Sequence, residues 1–370
     1  MTLKSFFFLL MAQCLMLPLS AQIRFVDAES HLPIPALSIY HANGTLIGLT
    51  DKNGSLEFLE GTDPKKLLPA EITTQHISYT AKTLLVKSAD EAQEYSLTPR
   101  ATMIQEVVVK AQPREVLVLK GYFRSLEIFN RKHKYFIDGI VEYYIPLKKG
   151  KPRYRLTDYR VFQDKAVTAD YDEKMGPFFQ IARVPNIHEQ PLVERLKEDV
   201  QKKDTGNHRT LLLKKGKEIG HLTPSSNGKN LQVYIDAVLP DTVKKEKIFR
   251  LEAYTLQSVQ IENYTDTTVS GINVSKLASV YENEVAFIKR KAEFGKIPFE
   301  GLRDFYVTEK RYISNEDYKK LRSQLTRNVY KTPEASHYDE KFWEDLDQYN
   351  IPPLQPGLEK ALEAKMELIK

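Results

Sequence analysis

The chain has 370 residues, a formal net charge of +5 and one cysteine, Cys14. Its length predicts two domains and a core large enough to need no disulfide. Because Cys14 lies in a predicted export signal, the composition excludes disulfides, thiolate metal sites and a cysteine nucleophile from the mature protein, and the mild, dispersed charge argues against a nucleic-acid partner.

Residues 1–21 are predicted to be a cleaved signal peptide. A lysine precedes the apolar stretch Phe6–Leu19, and small residues follow it, so we expect cleavage after Ala21 with Gln22 as the first mature residue. The stretch is too short to cross a bilayer core, and no other apolar run of about 20 residues follows it. Cys14 should leave with the signal rather than carry a lipid. The expected location is the periplasm, with no transmembrane span.

Residues 22–99 are predicted to form a seven-stranded β-sandwich, because short alternating segments are separated by turn signals. Asp51, Asn53 and Gly54 are interpreted as a structural turn, in which the aspartate side chain caps the turn and the glycine permits the return. A metal or ligand site at Asp51 and Asn53 is the alternative. The predicted strands are Ile23–Asp27, Ala36–His41, Leu46–Thr50, Ser55–Leu59, Glu71–Ser78, Lys82–Val86 and Glu94–Leu97.

Several motifs in this region resemble the carboxypeptidase regulatory-like domain of exported Bacteroidetes proteins. They are Phe25–Asp27, Leu32–Ile39, Gly48–Phe58, His76–Tyr79, Ser96–Pro99 and Ile104–Ala111. The resemblance implies a transthyretin-like fold and an accessory, non-catalytic role. It reaches this domain alone, without a carboxypeptidase catalytic domain or a TonB-dependent barrel.

Residues 100–114 are predicted to be a linker strand, and residues 115–335 an α+β domain with a curved antiparallel sheet and a few helices. Apolar periodicity predicts helices over 189–203 and 315–329, and the mixed apolar and basic run 115–131 suggests a helical start. Ser314 and Asp317 are spaced like a capping box. The predicted strands are Tyr135–Ile145, Tyr154–Phe162, Gln232–Ala237, Ile248–Tyr254, Leu256–Asn263, Val285–Phe294 and Asp304–Ile313.

Residues 336–370 are predicted to be a C-terminal tail with an amphipathic helix. An apolar stripe at helical spacing consists of Leu358, Leu362, Met366 and Ile369. We expect this stripe either to pack on its own domain or to form a surface that binds a partner. Three short motifs, Gly121–Arg124, Asp339–Trp343 and Gln348–Pro352, resemble segments of exported multi-domain Bacteroidetes proteins.

No sequence motif indicates catalytic, metal-binding or cofactor-binding residues. His337 and Glu340 match part of a zinc carboxypeptidase site, but the second histidine that such a site needs does not follow. We therefore expect a non-catalytic accessory or scaffold protein that binds an envelope or outer-membrane protein in an assembly or transport machine. Two alternatives stay open: a periplasmic hydrolase or carbohydrate-binding accessory, and a binder of lipid or another apolar ligand in a half-barrel.

Overall fold

The structure is a computed structural model that is mainly β, with antiparallel sheets and few helices, as the sequence predicts. It divides into two compact units between Pro99 and Arg100. The predicted signal peptide and the linker-strand residues 101–113 lie outside the described residues. The described ranges are 22–59, 62–100, 114–148, 150–176, 182–188, 192–196, 199–206, 209–225, 228–239, 242–248 and 250–370.

The first unit contains seven strands in two sheets. The strands are β1 Ile23–Asp27, β2 Ser38–His41, β3 Leu46–Thr50, β4 Leu56–Phe58, β5 Ala70–Gln75, β6 Thr83–Val86 and β7 Gln93–Leu97, with the short helix α1 at Pro64–Leu67. β1 and β7 form a parallel pair, and the others form an antiparallel sheet in the order β4-β3-β2-β5-β6. Phe25 and Leu97 of the pair share one apolar core with Ile39, Ile47 and Ile72 of the sheet. Each of the seven predicted segments therefore contains a strand.

The second unit is built on one large antiparallel sheet. Its strands are β8 Val116–Phe129, β9 Lys132–Pro146, β10 Arg153–Gln163, β11 Val200–Asp204, β12 Thr210–Lys214, β13 Lys217–Pro224, β14 Leu231–Asp236, β15 Lys244–Ile248, β16 Leu251–Tyr264, β17 Leu277–Lys289, β18 Ile297–Ile313 and β19 Glu367–Leu368. They lie in the order β11-β12-β13-β14-β16-β17-β18-β8-β9-β10-β19, and β15 also pairs with β16. The C-terminal residues are thus part of this sheet.

Alternation along the strands places the main core on one face of the sheet, here named the core face. Phe123, Ile137, Val141 and Phe305 point to it from β8, β9 and β18, and all are buried. The helices of this unit are α2 Lys165–Met175, α3 Leu192–Arg195, α4 Asn315–Leu321 and α5 Pro356–Lys365.

Three predicted helical segments differ from the structure. The region 189–203 contains only α3 among its described residues, and Val200 already begins β11. The run 115–131 is β8 rather than a helix, and its central basic residue Arg124 is buried and paired across the sheet with Asp304 instead of marking a solvent face. The helix predicted over 315–329 begins at the predicted cap, where Ser314 accepts from the Asp317 N–H at 3.1 Å, but it ends at Leu321.

The strands predicted at Ile248–Tyr254 and Leu256–Asn263 are largely one continuous strand, β16, and the separate strand β15 precedes it. β8 was not predicted as a strand, and neither were β11, β12 and β13. β8 pairs with β18, far along the chain, and this pairing overrides its local periodicity. β11, β12 and β13 each pair with the next strand in the sequence.

His221 on β13 makes the stability of the second unit depend on pH. It is 2% exposed and stacks on Tyr234 with ring centroids 4.8 Å apart. Burial lowers the pKa of His221 from 6.5 to about 4. Between these two pKa values the imidazole of His221 is protonated in the unfolded chain but neutral in the folded protein. The free energy of unfolding therefore falls as the pH falls.

We predict that His221→Gln removes this part of the acid sensitivity. Between pH 7 and pH 4 the difference in unfolding free energy between wild type and variant should change by about 3 kcal/mol, measured by urea unfolding. A difference that stays constant over this range would show that His221 is not held neutral in the folded protein.

Candidate functional site

The core face of the large sheet carries charged groups as well as apolar ones. A covering segment, defined here as residues 182–188 and 192–196, lies across this face. Its Val184, Ile187 and Leu192 are buried in the core. Its polar groups bind partners on the strands: Asn186 N–H donates to Glu282 Oε1 at 3.1 Å, and Arg195 donates to both oxygens of Glu262 at 2.8 and 2.5 Å. The segment is therefore fixed to carboxylates of the sheet at two separate points, once through a backbone N–H and once through an ion pair.

A polar cleft of about 230 Å³ opens at one end of the core face, between β8, β9, β10, α2 and the covering segment. Three charged side chains lie buried in it: Glu127 of β8, Lys134 of β9 and Arg183 of the covering segment are 1%, 6% and 7% exposed. The other lining residues are Tyr135, Val161, Gln163, Thr168, Tyr171, Asp172, Gly176, Phe299, Thr332, Pro333, Glu334 and Ile369.

Glu127 is the central anion of this cleft. Lys134 Nζ donates to its Oε2 at 2.9 Å, and Arg183 forms an ion pair with its Oε1. Each cation also rests on an aromatic ring: Lys134 Nζ is 3.9 Å from the ring centroid of Tyr171, and the Arg183 guanidinium carbon is 4.0 Å from that of Tyr135. Burial lowers the pKa of Lys134 to about 8, and Asp172 opposes that shift.

The sequence at this site gives only a partial signal. Glu127 interrupts an apolar stretch of β8, and a charge in such a run is typical of a buried pair. Its partner Arg183 comes from the covering segment, far along the chain, and no local spacing connects the two. The sequence analysis therefore missed this cleft.

The opposite face of the sheet brings together the three short motifs of the second domain. Arg124, from the first motif, donates through Nε to Asp304 at 2.7 Å and through Nη1 to the backbone oxygen of Pro352, at the end of the third motif, at 3.1 Å. Arg160 pairs with buried Asp138 and lies 3.9 Å from the ring centroid of Trp343, in the second motif. These contacts attach the C-terminal region to the sheet.

The two ends of the main strand order in the large sheet differ, and β15, which pairs with β16, lies outside that order. At one edge the chain's own β19 pairs with β10. At the other, β11 pairs with β12 on one side, and no strand among the described residues lies on its other side. Gln201, Lys202 and Lys203 of β11 are exposed. β11 is therefore an open edge that a further strand could extend.

The residues predicted to form a turn lie together between β3 and β4. Asp51 Oδ1 accepts from the N–H groups of Asn53 and Ser55 at 2.9 and 2.8 Å, and Asn53 Nδ2 donates to Asp51 Oδ2 at 3.1 Å. Gly54 has φ 75°, and a Cβ on it would lie 2.4 Å from the backbone oxygen of Phe25. A side chain at this position would be strained and would also clash.

The apolar stripe of the C-terminal region does not form an exposed surface. Leu358, Leu362 and Met366 are 4%, 5% and 6% exposed, and Leu362 faces Tyr122 and Arg160 on the opposite face of the sheet. Ile369 lies beyond α5 and packs on the core-face cluster. The four residues do not share one helix face, because Met366 ends the helix in an extended conformation.

His337 pairs through its backbone with Tyr159, at 2.6 and 2.9 Å. Among the described residues, no group of three or more His, Cys, Asp and Glu side chains is arranged to hold a metal ion. No helix in the described part of the chain is both long and apolar enough to cross a membrane.

No protein-family model matches this chain, and no curated protein is significantly similar to it.

We predict that Glu127→Gln destabilises the protein by about 3 kcal/mol, because it leaves two buried cations without their counter-charge. Glu334→Gln, at the exposed rim of the same cleft, is the matched control and should change stability by less than about 0.5 kcal/mol. The double variant Glu127→Gln/Lys134→Met should recover part of the loss, since one uncompensated charge is removed. Urea unfolding measures all three, and equal effects of the two single variants would contradict the assignment of Glu127 as the central anion.

Proposed function

We propose that this protein is an exported, non-catalytic accessory protein of the cell envelope, and that it binds a partner polypeptide by strand addition at β11. The observation that carries the proposal is the contrast between the two ends of the strand order: β19 occupies one, while β11 at the other has no strand on its outer side among the described residues. Strand addition uses main-chain hydrogen bonds for affinity, so it suits a scaffold protein with an extended partner segment.

The geometry of β11 identifies which backbone groups are available. Thr205 N–H donates to the Arg209 oxygen at 3.1 Å, at the turn of the β11–β12 hairpin. Because hydrogen-bonded pairs alternate along an antiparallel ladder, Gln201 and Lys203 face β12 and the backbone groups of Lys202 face away from it. The outward N–H of Lys202 is thus a donor for an incoming strand.

A different polypeptide fits this edge better than a second copy of the chain. In an antiparallel pair of two β11 strands centred on Lys202, the two Lys202 side chains would lie directly opposite each other. Like charges at directly opposed positions destabilise strand pairing. The charge therefore disfavours self-association and leaves the edge for a partner.

The edge strand β6 of the first unit is a weaker candidate. The carbonyl of its exposed residue Leu85 accepts from the Tyr95 hydroxyl at 3.0 Å, and the N–H of Lys87 donates to Gln93 Oε1 at 3.3 Å. Side chains of the unit itself thus satisfy backbone groups at and just beyond that edge.

The export and family assignments are part of the same proposal. Two sheets that share one apolar core support a β-sandwich for residues 22–99, and the motifs quoted above support the carboxypeptidase regulatory-like type. The signal peptide at residues 1–21 supports export to the periplasm, with an outer-membrane protein as the expected partner.

The alternative functions have less support. Lipid binding requires an open apolar cavity on the core face. The covering segment fills that space with Val184, Ile187 and Leu192. A hydrolase requires free carboxylates within its pocket. In the polar cleft the buried carboxylate, Glu127, is neutralised by Lys134 and Arg183, and the other two, Asp172 and Glu334, lie at the exposed rim.

The test is a crosslinking pulldown of the full-length protein from its own envelope fraction. Lys202→Pro removes the outward N–H without breaking the β11–β12 ladder, so it should lower recovery of the partner by about tenfold. Lys202→Ala is the matched control for the side-chain charge and should retain recovery within about twofold. Thermal unfolding checks that both variants keep the fold.

Two results would overturn this proposal. One is a wild-type protein that captures no envelope component, and the other is a Lys202→Pro variant that keeps its fold and full recovery of the partner.

A further inference from the structure

The polar cleft has a surplus of buried positive charge. Lys134 and Arg183 contribute two cations, and Glu127 is the one buried carboxylate between them. Desolvated charge is costly unless it is compensated, so a ligand that carries one negative charge would relieve this imbalance.

The cleft also contains a hydrogen-bonding group with no partner. The hydroxyl of Tyr135 is buried without a hydrogen bond among the described residues, although the side chain is only 3% exposed. Arg183 stacks on the ring and holds it in place. An unsatisfied buried hydroxyl is unfavourable, and a carboxylate oxygen is a suitable acceptor for it.

The rim of the cleft has the opposite sign. Asp172 and Glu334 line it, and both are exposed. Gln163 and Thr168 are bonded to each other at 2.8 Å and contribute polar but uncharged surface. An acidic rim repels multiply charged anions such as phosphate and attracts a cationic group.

The volume limits the size of the ligand. The cleft holds about 230 Å³, which lies below the range of drug-sized sites, about 300–1,000 Å³. A free amino acid or a very short peptide is of suitable size and carries one group of each charge.

We propose that the polar cleft binds a small zwitterion of the amino-acid class. Its carboxylate lies toward Lys134, Arg183 and the Tyr135 hydroxyl, and its ammonium group lies toward Asp172 and Glu334. The site is separate from β11 and does not depend on the partner-binding function proposed there.

The test is isothermal titration calorimetry on the full chain, with the twenty L-amino acids, glycylglycine, acetate and inorganic phosphate as probes. At least one amino acid or the dipeptide should bind with a Kd below about 1 mM, and acetate and phosphate should bind at least about tenfold more weakly. Tyr135→Phe removes the hydroxyl alone and should weaken the zwitterion about five- to tenfold. Tyr312→Phe, on β18 and outside the cleft, is the matched control and should leave binding unchanged.

Glu334→Gln tests the contact with the ammonium group independently of the contact with the carboxylate. It should weaken the zwitterion and leave acetate binding unchanged, because acetate has no ammonium group. The proposal is overturned if no zwitterion binds at about 10 mM, if phosphate binds more tightly than every zwitterion, or if Tyr135→Phe binds as well as the wild type.

Discussion

The central strands of the large sheet are buried on both faces, and this burial determines how their charged side chains are used. β8, β9 and β18 lie side by side in the sheet, and most of their residues are buried. A charge placed there is costly unless it is paired. The ion pairs Arg124–Asp304 and Arg303–Glu282, both at 2.7 Å, meet this requirement across neighbouring strands.

The same requirement explains how segments outside the sheet are held. The covering segment supplies the cations for Glu127 and Glu262 on the core face. On the opposite face, Arg124 binds the backbone of the C-terminal region and Trp343 covers Arg160. Buried charge thus selects where each segment docks, while the apolar contacts around it supply most of the stabilisation.

The two proposed binding sites depend on different features of the large sheet. β11 is the last described strand at its end of the sheet, and the proposed recognition there is by main-chain hydrogen bonds. Among the buried side chains of the polar cleft there is one more cation than anion, and the proposed recognition there is by charge and by the Tyr135 hydroxyl. The first site suits a polypeptide and the second a small molecule. A protein that carries both could bind its partner and a small ligand at separate places.

The sequence predicted the strands of the first unit well because local turn signals separate several of them. The Asp51–Gly54 segment shows this, since a carboxylate, an amide and a glycine at this spacing form the turn through contacts within five residues. The second unit was predicted only in part. β8 pairs with β18, almost two hundred residues further along the chain, as the register of Arg124 with Asp304 shows.

By itself, the sequence determined the mainly β class, the strands of the first unit, the cap at Ser314 and the apolar character of the C-terminal stripe. Only the tertiary structure decided that residues 116–129 are a strand, that the stripe is buried, that β11 is the open edge, and that Glu127, Lys134 and Arg183 meet. The reason is physical: turns and caps depend on side chains a few residues apart, whereas sheet order and the pairing of buried charges depend on residues that only the folded chain brings into contact.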